Sequence, residues 1–345
     1  MAIALQPLAD QIVDILLGLV PEHTVVEPYR DANLNNWRRA GAYSLISSSR
    51  QYIEIKVAQR EYAAVIVAEC HHLLNQAAEH RALLLGALSS TQDPSPSWKL
   101  VSLYYMSLYL VLSLSRATNE AVIFLDREGL NNFSNEQHRP HAGTFIFSHE
   151  MDSSTFISKV RLKKANSNHF HEAAWLTAHR FMRSARDAIV SSTANRRPNE
   201  QEILSLRAAN LFFGLSFRDA ETWPSVFRNA INYRSRYSYR TVLRHNFLPN
   251  NLGIARQPLR TAEEAIIFGE TAHRSLRGIA HPAEESARSL ELLIVQSLII
   301  ENVVTLALKR IENLRELECS AFRQRNVFSR ANCARESLLS MLPIQ

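Results

Sequence analysis

The segment Glu270-Thr-Ala-His-Arg-Ser-Leu-Arg-Gly-Ile-Ala-His-Pro282 holds the residues best suited to chemistry. Arg274 and Arg277 are three apart and His281 follows four later, so helical spacing places them on one stripe. Pro282 disfavours the α region at the residue before it, and a helix over 261–280 is expected to end at His281. A helix C-terminus favours the protonated imidazole, while two nearby guanidiniums favour the neutral one. The balance leaves histidine near neutrality, where it serves as acid or base. Such a group can cleave RNA without metal. The base takes the 2′-hydroxyl proton, and arginine stabilises charge developing on the phosphate. Arg274, Arg277 and His281 are therefore the candidate catalytic residues. The plainer alternative is structural: His281 bonds the last carbonyls of its helix, and Arg274 pairs with Glu270.

A second cluster runs from Phe227 to His245 and holds five arginines and three tyrosines. Basic residues interleaved with aromatics suit an RNA backbone with exposed bases. The candidate RNA-binding residues are Arg228, Asn229, Tyr233, Arg234, Arg236, Arg240, Arg244 and His245, with Arg240 and His245 a second Arg/His pair. An equally simple reading packs the tyrosines inward and leaves the arginines in solvent. Histidines also recur at His138, His141 and His149, and at His169, His171 and His179. The first trio falls in an expected loop and the second near a helix start, where His-x-His with Glu172 nearby is only suggestive of a metal frame, so no metal and no cofactor is expected. A Gly-rich phosphate loop, a Gly-x-Ser-x-Gly elbow and a His-Glu-x-x-His pair are all absent from the sequence.

The elements that must position these residues read as helices. The chain has 345 residues, 46% hydrophobic and 21% charged, which suits a globular protein with a sizeable core. Only 9 are glycine, fewer than glycine-rich turns and phosphate loops require. The net charge is +6 and arginine dominates lysine, which makes nucleic acid a reasonable partner. Cys70, Cys319 and Cys333 offer no framework or zinc spacing, consistent with a reducing, cytoplasmic setting. Helices are expected at 5–20, 31–59, 61–88, 98–116, 169–192, 199–217, 261–280 and 282–317. A break is expected at Trp223-Pro224. Leu290–Leu308 is strongly apolar, but Glu291 and Glu301 make it a buried central helix and not a membrane span. Residues 127–160 read as an irregular loop with a short strand near Thr144–Phe147. The expected fold is an all-α multi-helix bundle. Its regions would be 1–90, 98–317 and a tail, 318–345, with the first two also readable as one domain.

Several of these segments together resemble the HEPN superfamily, in its YaaC-like and nucleotidyltransferase-associated branches. The resemblance rests on Trp98-Lys-Leu-Val-Ser-Leu-Tyr-Tyr-Met-Ser-Leu-Tyr, on the His138–Phe147 loop, on Arg228-Asn-Ala-Ile-Asn-Tyr233, and on Arg274 separated from His281 by six intervening residues. It spans roughly residues 98–310. It implies a helical bundle, commonly a homodimer, and a metal-independent ribonuclease or RNA-binding protein of bacterial defence or toxin systems. Arg274 and His281 would be the catalytic pair, with Arg277 as helper. Members without catalysis imply the other function considered: a helical scaffold or regulatory subunit with a protein partner. Neither reading calls for a membrane.

Overall fold

The computed structural model describes residues 5–26, 33–89, 96–133, 140–151, 157–167, 169–216, 220–233, 262–280 and 286–317. Helices dominate, but the chain is not all-α. It contains a five-stranded antiparallel sheet in the order β1-β2-β5-β4-β3. The strands are β1 (Tyr43–Ser48), β2 (Tyr52–Ala58), β3 (Ala121–Leu125), β4 (Gly143–Met151) and β5 (Ile157–Lys164). The expectation of an all-α bundle with a loop over 127–160 is corrected on this point. The short strand expected near Thr144–Phe147 lies within β4.

The physical reason is two-residue alternation. Ile53, Ile55 and Val57 of β2 are buried, as are Val160 and Leu162 of β5 and Phe145 and Phe147 of β4. These residues oppose one another across the ladders, with Ile53 opposite Leu162 and Leu162 opposite Phe147. A helix over 31–59 would scatter that row around its circumference, so a short helix and a hairpin form instead. The opposite sheet face carries Glu54, Lys159 and Arg161. Glu54 accepts from Arg161 Nε at 2.7 Å and lies 3.0 Å from Lys159 Nζ. Burial raises its carboxyl pKa, but bonds from Arg161, Lys159 and Ser47 outweigh that and hold it at about 2.

The helices are α1 (Gln6–Leu19), α2 (Leu34–Ala40), α3 (Gln59–Ser89), α4 (Pro96–Ala117), α5 (Arg127–Asn131), α6 (Phe170–Thr193), α7 (Glu200–Asn210), α8 (Trp223–Tyr233), α9 (Ala262–Leu276) and α10 (Ser286–Leu314). The α3–α4 hairpin joins β2 to the distant edge strand β3, and its two helices pack along each other. In the body of α4 apolar residues lie nearly all round, so its serines are buried and bonded. Ser113 Oγ donates to the Cys70 carbonyl at 3.0 Å, and Ser107 meets Ser297 of α10 at 2.8 Å. This satisfaction keeps buried hydroxyls from costing stability. Stretches of α4 and α10 are long and apolar enough to cross a membrane, but 78% and 89% of them is buried inside the protein.

Two sequence expectations about helix ends are also corrected. Trp223-Pro224 starts α8 and does not break a helix, because a proline in the first turn loses no intrahelical bond. Helix α7 stops at Asn210, short of residue 217. Its neighbour α9 passes close to α10 at Gly269, where a β carbon would lie 2.7 Å from Val295 Cγ1 and 2.8 Å from Leu211 Cδ1. Only glycine permits that approach without displacement.

Candidate functional site

Three helices bring together side chains that the sequence keeps far apart. Helix α4 supplies Tyr104, Tyr105 and Tyr109. Helix α6 supplies His171, and α8 supplies Arg228. Trp223 and Phe227 are buried one turn apart, which fixes the rotation of α8 and turns Arg228 toward α4. Its guanidinium lies 3.5 Å from the Tyr105 hydroxyl and donates to Asn229 Oδ1 at 3.0 Å. The Tyr104 hydroxyl lies 2.9 Å from His171 Nδ1.

The protonation states follow from burial. Tyr104 is fully buried, and burial pushes its hydroxyl up to about 12. Burial, followed by the charge of Arg228, holds His171 down at about 4. Both groups are therefore neutral at pH 7. On that assignment the phenol donates, Nδ1 accepts, and Nε2–H is the remaining polar atom of the ring. An imidazole held near 4 cannot act as a general acid at pH 7 and is a weak base. At pH 7 this cluster offers hydrogen bonds and ring faces, not proton transfer.

Beside it lies an aromatic face. His80 of α3 stacks on Tyr105 at 5.8 Å and 23°, and packs against Tyr109 at 5.4 Å and 30°. All three rings are half-buried. Half-exposed rings offer stacking area at low entropic cost, and a neighbouring guanidinium offers phosphate contact.

A second cluster sits at the end of α9. Arg274 and Arg277 are exposed. The expected pairing of Arg274 with the Glu270 side chain does not form. Arg207 of α7 takes that carboxylate in a fork, at 2.8 and 3.0 Å. Arg274 is left with the Glu270 backbone carbonyl at 3.4 Å. Neither Arg274 nor Arg277 has a carboxylate within ion-pair reach among the described residues. Arg277 approaches the turn at Gly214, and Arg183 and Arg186 lie over the Phe213 ring at 5.6 and 5.1 Å. Three guanidiniums thus flank the two-residue Phe213–Gly214 turn.

The helix expected to carry Arg274, Arg277 and His281 on one stripe is shorter than expected. Helix α9 ends at Leu276, and Gly278 takes φ +88°. A glycine in the left-handed region terminates the helix before the proline does. His281 lies outside the described residues. So do Arg234, Arg236, Arg240, Arg244, His245 and the side chain of Tyr233, which ends α8. Of the expected RNA-binding residues, Arg228 is half-buried in the α4–α6–α8 cluster and Asn229 is exposed beside it.

Among the described residues the histidines do not converge. His149 stacks on Tyr62, His171 on Tyr104, and His179 meets the edge of Phe213. No trio of metal-ligating residues gathers among the described residues. Burial, first among the causes, holds His149, His171 and His179 each at about 4. A histidine at about 6.5 in the unfolded chain takes up a proton on unfolding. Stability from these three is therefore present above pH 6.5 and lost as pH falls toward 4. We expect guanidinium midpoints to decline from pH 7.5 to pH 5, with a shallower decline in His179→Gln. A flat profile over that range would contradict the burial of these rings.

His80 and Phe213 carry no spacing signal that marks them as site residues, while His171 is visible in the sequence only as one of a histidine trio and Tyr109 only as the end of the Trp98–Tyr109 segment. Comparison with known proteins finds no matching family model, no matching curated protein and no matching solved structure.

Proposed function

We propose that the chain binds single-stranded RNA. His80, Tyr105 and Tyr109 supply stacking faces, Arg228 contacts phosphate, and Arg274 and Arg277 form a second backbone contact. The observation that carries this reading is the convergence of Tyr105 and Arg228, 123 residues apart, on one half-exposed face. Base–aromatic stacking contributes about 1–3 kcal/mol per base, and each phosphate contact adds salt dependence.

The two residue types should differ in how they fail. Tyr105→Ala should weaken binding of a labelled single-stranded RNA about tenfold without changing its salt dependence. Arg228→Ala should weaken binding and lower the slope of log K against log salt by about 0.7. Both variants would be checked for fold by circular dichroism. Absence of RNA binding by the wild type at low salt would favour a helical scaffold with a protein partner.

A second reading, metal-independent RNA cleavage by Arg274, Arg277 and His281, is favoured by the two exposed guanidiniums without carboxylate partners. Stabilising a phosphate in its transition state needs cations that are not already neutralised.

A further inference from the structure

We propose that a cavity between the end of β5 and the side of α6 binds a small anion of the phosphate class. This proposal does not rest on the RNA-binding reading. The cavity measures about 220 Å³. It is well above the roughly 10–15 Å³ that one water takes in such a measure, and below the roughly 300–1,000 Å³ of drug-sized pockets. It therefore suits an inorganic phosphate, a pyrophosphate or a terminal phosphate group.

Its walls are cationic. Lys163, Lys164 and Arg180 line it together with Asn166, Ser167 and a single carboxylate, Glu221. Three cations against one anion leave a net lining charge of +2. Neighbouring ion pairs do not remove the excess. Arg180 bonds Glu120 at 2.9 Å, outside the lining, but Glu221 is held by Arg183 at 2.8 Å. Lys163 and Lys164 have no carboxylate within ion-pair reach among the described residues. The contrast within one strand is informative. Two to four residues earlier, Lys159 and Arg161 of β5 are matched by Glu54 and Glu150. The last two residues of the strand are unmatched, and it is these that face a concavity.

The placement has a simple origin. Alternation sends Lys163 and Lys164 to opposite faces of the sheet, so both reach one cavity only because the sheet ends there. Helix α6 closes the side with Ala173, Leu176 and Arg180, spaced three and four apart on one helical stripe. Two lysines without carboxylate partners among its lining residues give the cavity a positive potential that an anion would neutralise.

The test uses the full chain at low ionic strength and titrates inorganic pyrophosphate by calorimetry. Saturable binding is expected, with sodium chloride at matched ionic strength giving none. Lys163→Gln, which alters an exposed side chain, should weaken binding about tenfold. Leu176→Phe, which fills the cavity and keeps every charge, should weaken it at least as much. Absence of saturable binding by the wild type, or undiminished binding by both variants with native circular dichroism, would overturn the proposal. Competing oligonucleotides identify the source of the anion. Displacement by a 5′-phosphorylated oligonucleotide but not its 5′-hydroxyl form assigns a nucleic-acid end, and displacement by neither assigns a free small anion. Equal displacement by both would also overturn the proposal, because it would reveal an ordinary polyanion surface.

Discussion

Glu301→Leu should lower the unfolding free energy by about 3–5 kcal/mol, the loss typical of a buried ion pair deprived of one partner. Arg81 and Glu301 are hydrogen-bonded to each other, 220 residues apart in the chain, and each side chain is 1% exposed. The pair joins α3 to α10, and His71–Glu312 joins the same two helices at 3.2 Å. Removing the carboxylate leaves a guanidinium in the core with no water to solvate it. The loss would be a large share of the 5–15 kcal/mol that holds a typical domain together. The double replacement Arg81→Met/Glu301→Leu should recover most of it, since apolar groups of similar size restore packing without desolvating charge. Denaturant midpoints of the two single variants and the double variant measure the coupling. A Glu301→Leu protein within about 1 kcal/mol of wild type would show that water reaches Arg81, and would sink the argument.

Long periodic helices were legible in the chain, whereas the sheet and the joining of the site were not. Helices α3, α6 and α10 follow the apolar spacing of their segments, because ten or more residues of one period outweigh local noise. The run Tyr52–Val57 does alternate, but six residues of alternation beside Lys and Glu also fit an exposed helix. Only pairing with β5, about a hundred residues away, separates the two. Ala121–Leu125 is apolar throughout, so its period carries no information until α4 and α6 cover it. At the end of α9 both stop signals were present. Gly278 prevails over Pro282 because it comes first and needs no strain to adopt a positive φ. The site fails differently. Arg228, Tyr105 and His171 stand out in three separate segments, as an RNA-binding candidate, part of a Tyr-Tyr pair and one of a histidine trio, and their relation exists only in the packing of α4, α6 and α8. Arg274 shows the reverse case. Its obvious helical partner, Glu270, was taken by Arg207 from another helix, which no local spacing could show.

If the end of α9 cleaves RNA, the wild type should do so in EDTA, and Arg274→Ala and Arg277→Ala should each lower the rate about 10²–10³-fold, the usual cost of removing a charge-stabilising donor. His281→Ala should abolish cleavage. His273 is the nearest described histidine, and its geometry rules it out as a substitute. It is 4% exposed, its Nε2 is bonded to the Phe213 carbonyl, and burial pushes its pKa down. A ring locked on a backbone carbonyl has no free nitrogen on that side to offer a 2′-hydroxyl. His273→Gln should therefore lower stability and leave the pH profile of cleavage in place, whereas His281→Ala should remove the profile itself. Cleavage that persists in the Arg274 and Arg277 variants would move the chemistry elsewhere, first to Arg240 and His245. A wild type that binds RNA yet leaves tRNA, mRNA and structured RNA intact in EDTA would end the ribonuclease reading. The aromatic and guanidinium cluster of α4, α6 and α8 would then stand as a binding surface without catalysis.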